Sequence, residues 1–280
     1  MTFSIAARDG DAWGVAVASR FLAVGSIVPA VRLGVGAVAT QSLARVAYVD
    51  EVLGALEAGT DVTAALDAAV SADDGRAVRQ VGAVGSGGAA TFTGADCLPY
   101  AGGVAAGDAH TAYAIQGNIL TGPEVVAAME RAWLGSAAQR LDHRLLAALL
   151  AGDAAGGDAR GRQSAALLVR APGAGYDHGG VLADLRVDDH PDAPHELARI
   201  HRLATLYFGE AEDVAPLEGD LLAEVAGRLE ALGHGGPDVG LELAAWMSET
   251  NLENRRSPGG IDGRVLEELR RAAAGLRLPD

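Results

Sequence analysis

Two short apolar stretches open the chain, residues 2–8 and 13–19, and both have the length and alternation of β-strands. Between them lies Asp9-Gly10-Asp11, a sequence of turn-forming residues. Two such stretches joined by a short turn are typical of a β-hairpin. The pattern therefore predicts that a β-hairpin opens the fold.

The length of the hairpin loop determines which residues face each other across the two strands. A loop over residues 9–12 places Thr2 opposite Ser19, whereas a loop of residues 9 and 10 alone places it opposite Val17. Either register brings Ser19 and Arg20 close to Thr2. Both registers remain open on the sequence alone.

Strand-like and helix-like spacing then alternate along the first two thirds of the chain. Helical spacing covers residues 42–58, 62–72 and 121–150, with a break near Gly135 in the last stretch. Strand-like stretches cover residues 27–40, 78–84, 89–93, 110–116, 163–170 and 182–187. Groups of strands separated by groups of helices predict an α+β layered fold.

After Pro194 the strand-like spacing stops and only helical spacing remains. Four helices are predicted there, over residues 195–209, 218–232, 238–250 and 263–276. Trp246 in the third of them is expected in the core of a small helical module. We therefore predict an α+β domain over residues 1–194, a connecting helix over 195–209 and a small all-α domain over 210–280.

Charge and residue content exclude several classes of function. The 280 residues include 22 basic and 37 acidic side chains, giving a net charge of −15, which disfavours binding to nucleic acid. All basic residues are arginine, so a catalytic lysine is excluded. No apolar run approaches the ~20 residues of a membrane span, and the start of the chain lacks the pattern of a secretory signal. We expect a cytoplasmic protein with no membrane partner.

Thr2 is the residue whose position favours a specific chemistry. Removal of Met1 would leave a threonine hydroxyl beside a free α-amine, and an α-amine with an ordinary pKa of about 7.7–8.0 can accept the hydroxyl proton. A nucleophile of this kind needs no histidine triad. The alternative is an ordinary start of the chain, because many proteins begin with Met-Thr.

The sequence Gln41-Ser42 lies where a predicted strand passes into a predicted helix. Free backbone N–H groups at the positive end of a helix are suited to stabilise an oxyanion. Gln41 and Ser42 are therefore candidate catalytic residues beside Thr2. An ordinary helix N-cap at Ser42 is equally compatible with these residues.

Several stretches resemble a widespread uncharacterised bacterial family that is placed in the N-terminal-nucleophile (Ntn) hydrolase superfamily. The likeness extends over about residues 2–200. The stretches that carry it are MTFSIAARD, WGVAVASRFLAVGSIVPAVRLGVGAVATQS, TGADCLPYAG, YAIQGNILTGPEV, GDARGRQSAALLV and DLRVDDHPD.

This resemblance implies a four-layer αββα sandwich, Thr2 as the nucleophile and hydrolysis of an amide bond. A looser likeness to proteasome-type subunits fails at two points. Where those subunits carry an assisting aspartate and lysine, this sequence has Ala18-Ser19-Arg20 and Arg32. Arginine does not shuttle protons, so a catalytically inactive member of the same fold remains an alternative.

Other polar residues are candidates for the same site. Asn118 is suited to an oxyanion or a substrate amide, or to an Asn-stabilised turn. Ser164 is suited to bond the α-amine of Thr2, or to cap the preceding loop. The acidic cluster 188–192 is suited to a divalent cation, to orienting the active site or to a solvated turn. Candidate substrate-binding residues are Arg20, Arg32, Gln163 and Asp188, with the two arginines assigned to a substrate carboxylate.

The leading hypothesis is an Ntn-type amidohydrolase that acts on a small-molecule or peptide amide, without cofactor or metal. The catalytic candidates are Thr2, Ser19, Gln41, Ser42, Asn118 and Ser164. The alternatives are an inactive scaffold that binds a partner and a metalloenzyme built on the acidic cluster. We also expect a homo-oligomer. Residues 203–273 resemble a domain labelled as peptidoglycan-binding that often follows this family, and we favour an interface or lid role for it.

Overall fold

The computed structural model describes residues 2–275 and has a mixed α+β fold with antiparallel sheets. It divides into two compact units, Met1–Ile200 and His201–Asp280. The division falls inside the connecting helix that the sequence predicts over residues 195–209. Within the described residues, no helix is long and apolar enough to cross a membrane.

The predicted hairpin is present as strands β1 (Thr2–Asp9) and β2 (Ala12–Ser19). Gly10 has a φ of +58°, a left-handed conformation that glycine adopts without strain. Pairing of Phe3 with Ala18 sets the register, which continues to Thr2 opposite Ser19. The first of the two predicted registers is therefore confirmed, although the loop itself has only two residues.

Six strands form the larger sheet, and each strand runs antiparallel to its neighbours. The remaining four are β7 (Gly102–Gly107), β8 (Thr111–Asn118), β9 (Ser164–Arg170) and β10 (Val181–Val187). The order across the sheet is β10-β9-β2-β1-β8-β7. Strand β1 is therefore central, while β7, which the sequence spacing does not predict, lies at an edge.

A second sheet has four antiparallel strands in chain order. These are β3 (Pro29–Arg32), β4 (Gly36–Ser42), β5 (Arg79–Gly85) and β6 (Gly88–Thr93). The strand-like stretches 78–84 and 89–93 are confirmed as β5 and β6, which pair with each other.

The helices of the first unit follow the predicted spacing in most places. They are α1 (Ala47–Glu57), α2 (Val62–Ser71), α3 (Glu124–Gly135) and α4 (Leu141–Ala154). Asp61 caps α2, because its carboxylate accepts hydrogen bonds from the backbone of the first turn. The predicted break near Gly135 is confirmed by the end of α3.

The predicted helix start at Ser42 is wrong. Gln41 and Ser42 still belong to β4, where they pair with Gln80 and Arg79 of β5. The strand ladder occupies this backbone, so helix α1 begins five residues later, at Ala47. Consequently, the backbone N–H groups of Gln41 and Ser42 do not lie at the positive end of a helix.

Side chains of the larger sheet alternate between two hydrophobic cores. Phe3 and Ile5 pack on one face with residues of α3 and α4. Ala6 and Val17 pack on the other face, together with Val84 and other residues of the four-stranded sheet. A third core joins the outer face of the four-stranded sheet to α1 and α2. Because Thr2 has the same strand parity as Ala6, it faces the space between the two sheets.

The second unit contains helices and one short strand pair. Helix α5 (Ala193–Phe208) spans the division, and α6 (Gly219–Ala231), α7 (Val239–Glu249) and α8 (Gly263–Ala273) follow. Residue 276 of the predicted last helix lies outside the described residues. The prediction that this region has no strand is wrong at one place, where β11 (Ala215–Pro216) pairs with β12 (Gly260–Ile261). Trp246 is buried in the core of this unit, as predicted.

One fully buried arginine, Arg255, crosslinks the segments of the second unit. Its guanidinium donates to the carboxylate of Asp262 at 3.0 Å, and the Asp262 side chain is also fully buried. The remaining acceptors of the guanidinium are the backbone oxygens of Thr205, Leu206 and Glu210 and the carboxylate of Glu212. Arg255 thus joins the end of α5, the following loop and the start of α8.

Glu268 is a buried carboxylate in the second unit, and burial raises its pKa. Its Oε2 atom has no hydrogen-bond partner within residues 2–275. We expect Glu268→Gln to stabilise the unit at pH 7 by about 1 kcal/mol, because the buried charge costs free energy and, among the described residues, is offset only by Arg271, which lies 3.5 Å from Oε1. Thermal unfolding of both proteins, followed by circular dichroism, measures this difference.

The pH dependence of that difference follows from the direction of the pKa shift. The folded protein binds the Glu268 proton more tightly than the unfolded chain, so stability is lost as pH rises from about 4.3 through the folded-state pKa. The gain from Glu268→Gln should therefore shrink as pH falls toward 4. The neighbouring Glu267 is exposed, and Glu267→Gln serves as the control. An equal gain from both variants would contradict the role of burial.

Candidate active site

A row of polar side chains crosses four neighbouring strands at one end of the larger sheet. Thr2 pairs with Asn118 on β8, and Ser19 pairs with Ser164 on β9. Residues that face each other in antiparallel strands point to the same side of the sheet. All four side chains are buried and face the space between the sheets. We call Ser164, Ser19, Thr2 and Asn118 the polar row.

The Thr2 hydroxyl makes its hydrogen bond within this row. Its Oγ1 lies 3.1 Å from Oγ of Ser19. Thr2 is 4% exposed, so its side chain is buried although it lies at the first position of the strand. The structure thus brings together the two residues that the hairpin register predicts to meet.

Three glutamines form a buried amide network beside the polar row. Gln41 and Gln80 come from the four-stranded sheet and Gln116 from β8, and all are at most 1% exposed. Ser4 connects two of them, because its hydroxyl donates to Gln41 Oε1 at 2.6 Å and accepts from Gln116 Nε2 at 2.7 Å. We call Ser4, Gln41, Gln80 and Gln116 the amide network.

The amide network holds the backbone of the candidate nucleophile. Gln41 Nε2 donates to the carbonyl oxygen of Thr2 at 3.2 Å and to Oε1 of Gln80 at 2.8 Å. Asn118 Nδ2 donates to the same Gln80 oxygen at 2.9 Å. Gln80 in turn donates to the carbonyl oxygen of Gly117 at 2.8 Å. These bonds join the two sheets at Thr2, and buried networks whose members are satisfied restrict movement.

The sequence analysis missed Ser4, Gln80 and Gln116 as site residues. A signal was present, because Thr2 and Ser4 on β1 and Gln116 and Asn118 on β8 are polar at alternate positions of apolar strands. Alternation of this kind places polar groups on one face. The position of Gln80 beside them depends on the pairing of the sheets, which the spacing does not reveal.

Gly82 leaves the space that the side chain of Gln116 occupies. A Cβ atom at Gly82 would lie 2.0 Å from Gln116 Oε1. We expect Gly82→Ala to destabilise the protein by about 1–3 kcal/mol, because the amide would have to leave its buried bonds. The free energy of unfolding in urea measures this loss.

Gly54 in α1 offers the matched control for that substitution. A Cβ atom there has no neighbour within 4 Å, and alanine favours a helix over glycine by roughly 0.5–1 kcal/mol. Gly54→Ala should therefore leave stability unchanged or raise it. If both variants have the same unfolding free energy, the close packing of Gln116 does not matter for stability.

A pocket of about 340 Å³ adjoins the polar row. Ser19 lines it and also bonds the Thr2 hydroxyl, whereas Thr2 itself is not a lining residue. Phe3 and Ala18, which pack on the helix side of the sheet, line it as well. The other lining residues come from β1, β2, the end of α4 and the segment after it, the start of β9, the loop before α5 and the start of α5. They are Phe3, Ala18, Asp153, Gly156, Asp158, Gly161, Arg162, Ser164, Pro191 and Pro194.

Charged groups in the pocket wall form paired contacts. Arg162 donates to both oxygens of Asp153 at 2.7 and 2.8 Å, and this hydrogen bonding raises the pKa of the guanidinium. The third Arg162 nitrogen, Nη1, lies 3.1 Å from Asp192. Asp158 accepts the backbone N–H groups of Arg20 at 2.8 Å and of Arg160 at 2.9 Å.

Three further candidates lie near the pocket but have other contacts than predicted. Ser164 accepts the backbone N–H of Val24 at 3.1 Å, so its hydroxyl holds the segment after β2. Gln163 donates to Asp189 at 3.1 Å. Asp188 contributes its backbone oxygen, which accepts the N–H of Ala23 at 2.9 Å.

Two candidates lie apart from the polar row. Arg32 bonds Glu57 at 2.8 Å and pairs with Gly36 at the far end of β4, roughly 17 Å along the strand from Gln41 at about 3.3 Å per residue. Ser42 has a positive φ of 69°, and its hydroxyl contacts the thiol of Cys97 at 3.5 Å. The structure does not bring Arg32 to Thr2.

Comparison with known proteins gives a family and similar solved structures. The model of the family described as "Family of unknown function (DUF1028)" matches residues 2–197. The crystal structure of protein SPO2555 from Silicibacter pomeroyi, which carries the same family model, is 32% identical with a TM-score of 0.64 and covers 80% of this chain and 92% of that chain. A search of curated proteins gave no match.

Proposed function

The chain belongs to DUF1028, a family of unknown function, and we propose that it is an Ntn-type amidohydrolase with Thr2 as its nucleophile after removal of Met1. The observation that carries this proposal is the position of Thr2. It starts the central strand of the larger sheet, with its hydroxyl on Ser19 and its carbonyl oxygen on Gln41. Neutral buried groups thus hold a threonine at the end of a strand beside a pocket.

The proposed reaction begins with the α-amine of the processed Thr2. The amine takes the proton of the hydroxyl while Oγ1 attacks the carbonyl carbon of the substrate amide. Asn118, which pairs with Thr2 across the strands, has a second N–H on Nδ2 that can donate to the resulting oxyanion. Ser19 orients the Thr2 hydroxyl from the neighbouring strand.

Collapse of the tetrahedral intermediate breaks the substrate C–N bond. The ammonium of Thr2 gives its proton to the leaving nitrogen, and the acyl group remains on Oγ1 as an ester. A water molecule then attacks this ester while the α-amine accepts the water proton. The acid product leaves, and the hydroxyl and amine are regenerated.

The packing of the first unit supports the same superfamily. Its three cores lie between α3 and α4 and the larger sheet, between the two sheets, and between the smaller sheet and α1 and α2. We infer from this order a four-layer αββα sandwich of the Ntn type. The leading alternative is an inactive scaffold, which is favoured by the burial of the Thr2 hydroxyl against Ser19.

Intact mass of the purified protein tests the proposal before any substrate is known. The proposal expects a chain that is one methionine lighter and that gains one adduct from an electrophile requiring both a hydroxyl and a free α-amine. Peptide mapping should locate the adduct at Thr2. A chain that retains Met1 and gains no adduct would leave the inactive scaffold.

A further inference from the structure

The pocket beside the polar row contains one cation whose bonds are not all to buried groups. Arg162 uses two of its nitrogens on Asp153, whose side chain is 3% exposed. Its third nitrogen, Nη1, contacts Asp192, whose side chain is 49% exposed. Arg162 itself is 41% exposed at the side chain. One edge of the guanidinium is therefore anchored, while the other edge is paired only at the surface.

The buried carboxylates of the pocket are already neutralised. Both oxygens of Asp153 accept from Arg162. Asp158 is paired with the guanidinium of Arg160 at 3.1 Å, and its oxygens also accept the backbone N–H groups of Arg160 and Arg20. Neither acid is left to recognise a ligand cation. Helix α5 also begins at this wall with Pro194 in its first turn, and the start of a helix favours an anion.

A ligand carboxylate that took the place of Asp192 at Nη1 would keep Arg162 in an ion pair. Exposed ion pairs contribute little to stability in water, so the surface carboxylate is a weak competitor. A ligand that enters the pocket loses water around its own carboxylate and gains a charge-assisted hydrogen bond from the anchored guanidinium.

We propose that this pocket binds the carboxylate of a small N-acyl amino acid or short peptide at Nη1 of Arg162, in place of Asp192. The volume of about 340 Å³ lies at the small end of ligand pockets, about 300–1,000 Å³. Ser19 lines the pocket and bonds the Thr2 hydroxyl, and Thr2 itself is not a lining residue, so the amide of such a ligand would have to pass Ser19 to reach Thr2. The inference rests on the proposed function for the fate of that amide, whereas binding needs no turnover.

Matched ligands measure the contribution of the carboxylate. The probes are N-acetyl amino acids with small, branched and aromatic side chains, together with the carboxamide of each. Dissociation constants are determined by calorimetry or NMR titration on Thr2→Ala protein, in which turnover cannot interfere. We expect the best acid to bind about tenfold or more tightly than its carboxamide, as for a hydrogen bond to a charged group.

Two surface aspartates on one turn provide the matched protein variants. Asp192→Asn removes the competitor at Arg162 and should tighten binding of the acid by about two- to fivefold. Asp189→Asn makes the same charge change, but Asp189 bonds Gln163 instead of Arg162, so this variant should bind the acid like the parent protein. Equal shifts in both variants would show a general charge effect and overturn the proposal.

Arg162→Gln should remove the preference for the acid over the carboxamide. Because this variant leaves the buried Asp153 without its partner, circular dichroism checks its fold, and the Asp192→Asn result stands without it. Equal affinity of acids and carboxamides, or no binding of any probe, overturns the pocket proposal. The two proposals can also fail separately. If acids bind more tightly than carboxamides but the processed chain forms no adduct at Thr2, the binding site stands and the proposed catalysis is wrong.

Discussion

Thr2→Ala should abolish both the covalent adduct and the hydrolysis of any amide substrate found for this protein. Loss of a nucleophile commonly lowers kcat by about 10⁴-fold or more, since the covalent route is closed. The variant should still fold, because the contact from Gln41 to residue 2 goes to its backbone oxygen. Adduct formation by intact mass and turnover by product analysis measure the two effects.

Thr2→Ser is the matched control, because it keeps the hydroxyl and the α-amine. It should retain labelling and a measurable fraction of the turnover. If Thr2→Ala protein hydrolyses substrate at the parent rate, Thr2 is not the nucleophile and the proposed function is wrong.

Arg255→Ala should unfold the second unit. The substitution leaves the fully buried carboxylate of Asp262 without its charged partner, with only the backbone N–H groups of Glu212 and Val265 as donors within the described residues. Three backbone oxygens also lose their donor. Removal of one partner of a buried ion pair costs about 3–5 kcal/mol, which is a large part of the 5–15 kcal/mol that stabilises a typical domain. Hydrogen exchange followed by mass spectrometry should show loss of protection in peptides from residues 201–275.

Arg256 provides the control at the adjacent position. Its side chain is exposed and donates to the carbonyl oxygen of Ala244 and the hydroxyl of Ser248. Arg256→Ala should change the unfolding free energy by no more than about 1 kcal/mol, as for other surface contacts. Full protection of residues 201–275 in the Arg255→Ala protein would show that this arginine is dispensable.

The sequence predicted the part of the site that is formed by residues close together in the chain. The turn residues around Gly10 and the apolar spacing of the first two strands predicted the hairpin and allowed the register that joins Thr2 to Ser19. Strand β7 was missed because Val104 is its only β-branched residue among glycines and alanines, which do not mark a strand.

Long-range pairing explains what the sequence analysis could not predict. Helix α1 starts later than its spacing suggests, because the pairing of β4 with β5 extends through Ser42. Gln80 reaches Asn118 only because the two sheets pack face to face. Arg162 likewise meets Asp192 across 30 positions of the chain, so its place in a pocket depends on tertiary structure.

The amide network also limits how the site can respond to acidity. Its members and the polar row carry only amides and hydroxyls, which do not ionise over the ordinary pH range. The hydrogen bonds that hold Thr2 therefore keep the same donors and acceptors from mildly acidic to mildly basic solution. Under the proposed mechanism, the α-amine is the only group whose ionisation affects the rate. Activity would therefore rise with pH along a single titration curve, whereas an enzyme that needs both an acid and a base shows a bell-shaped pH dependence.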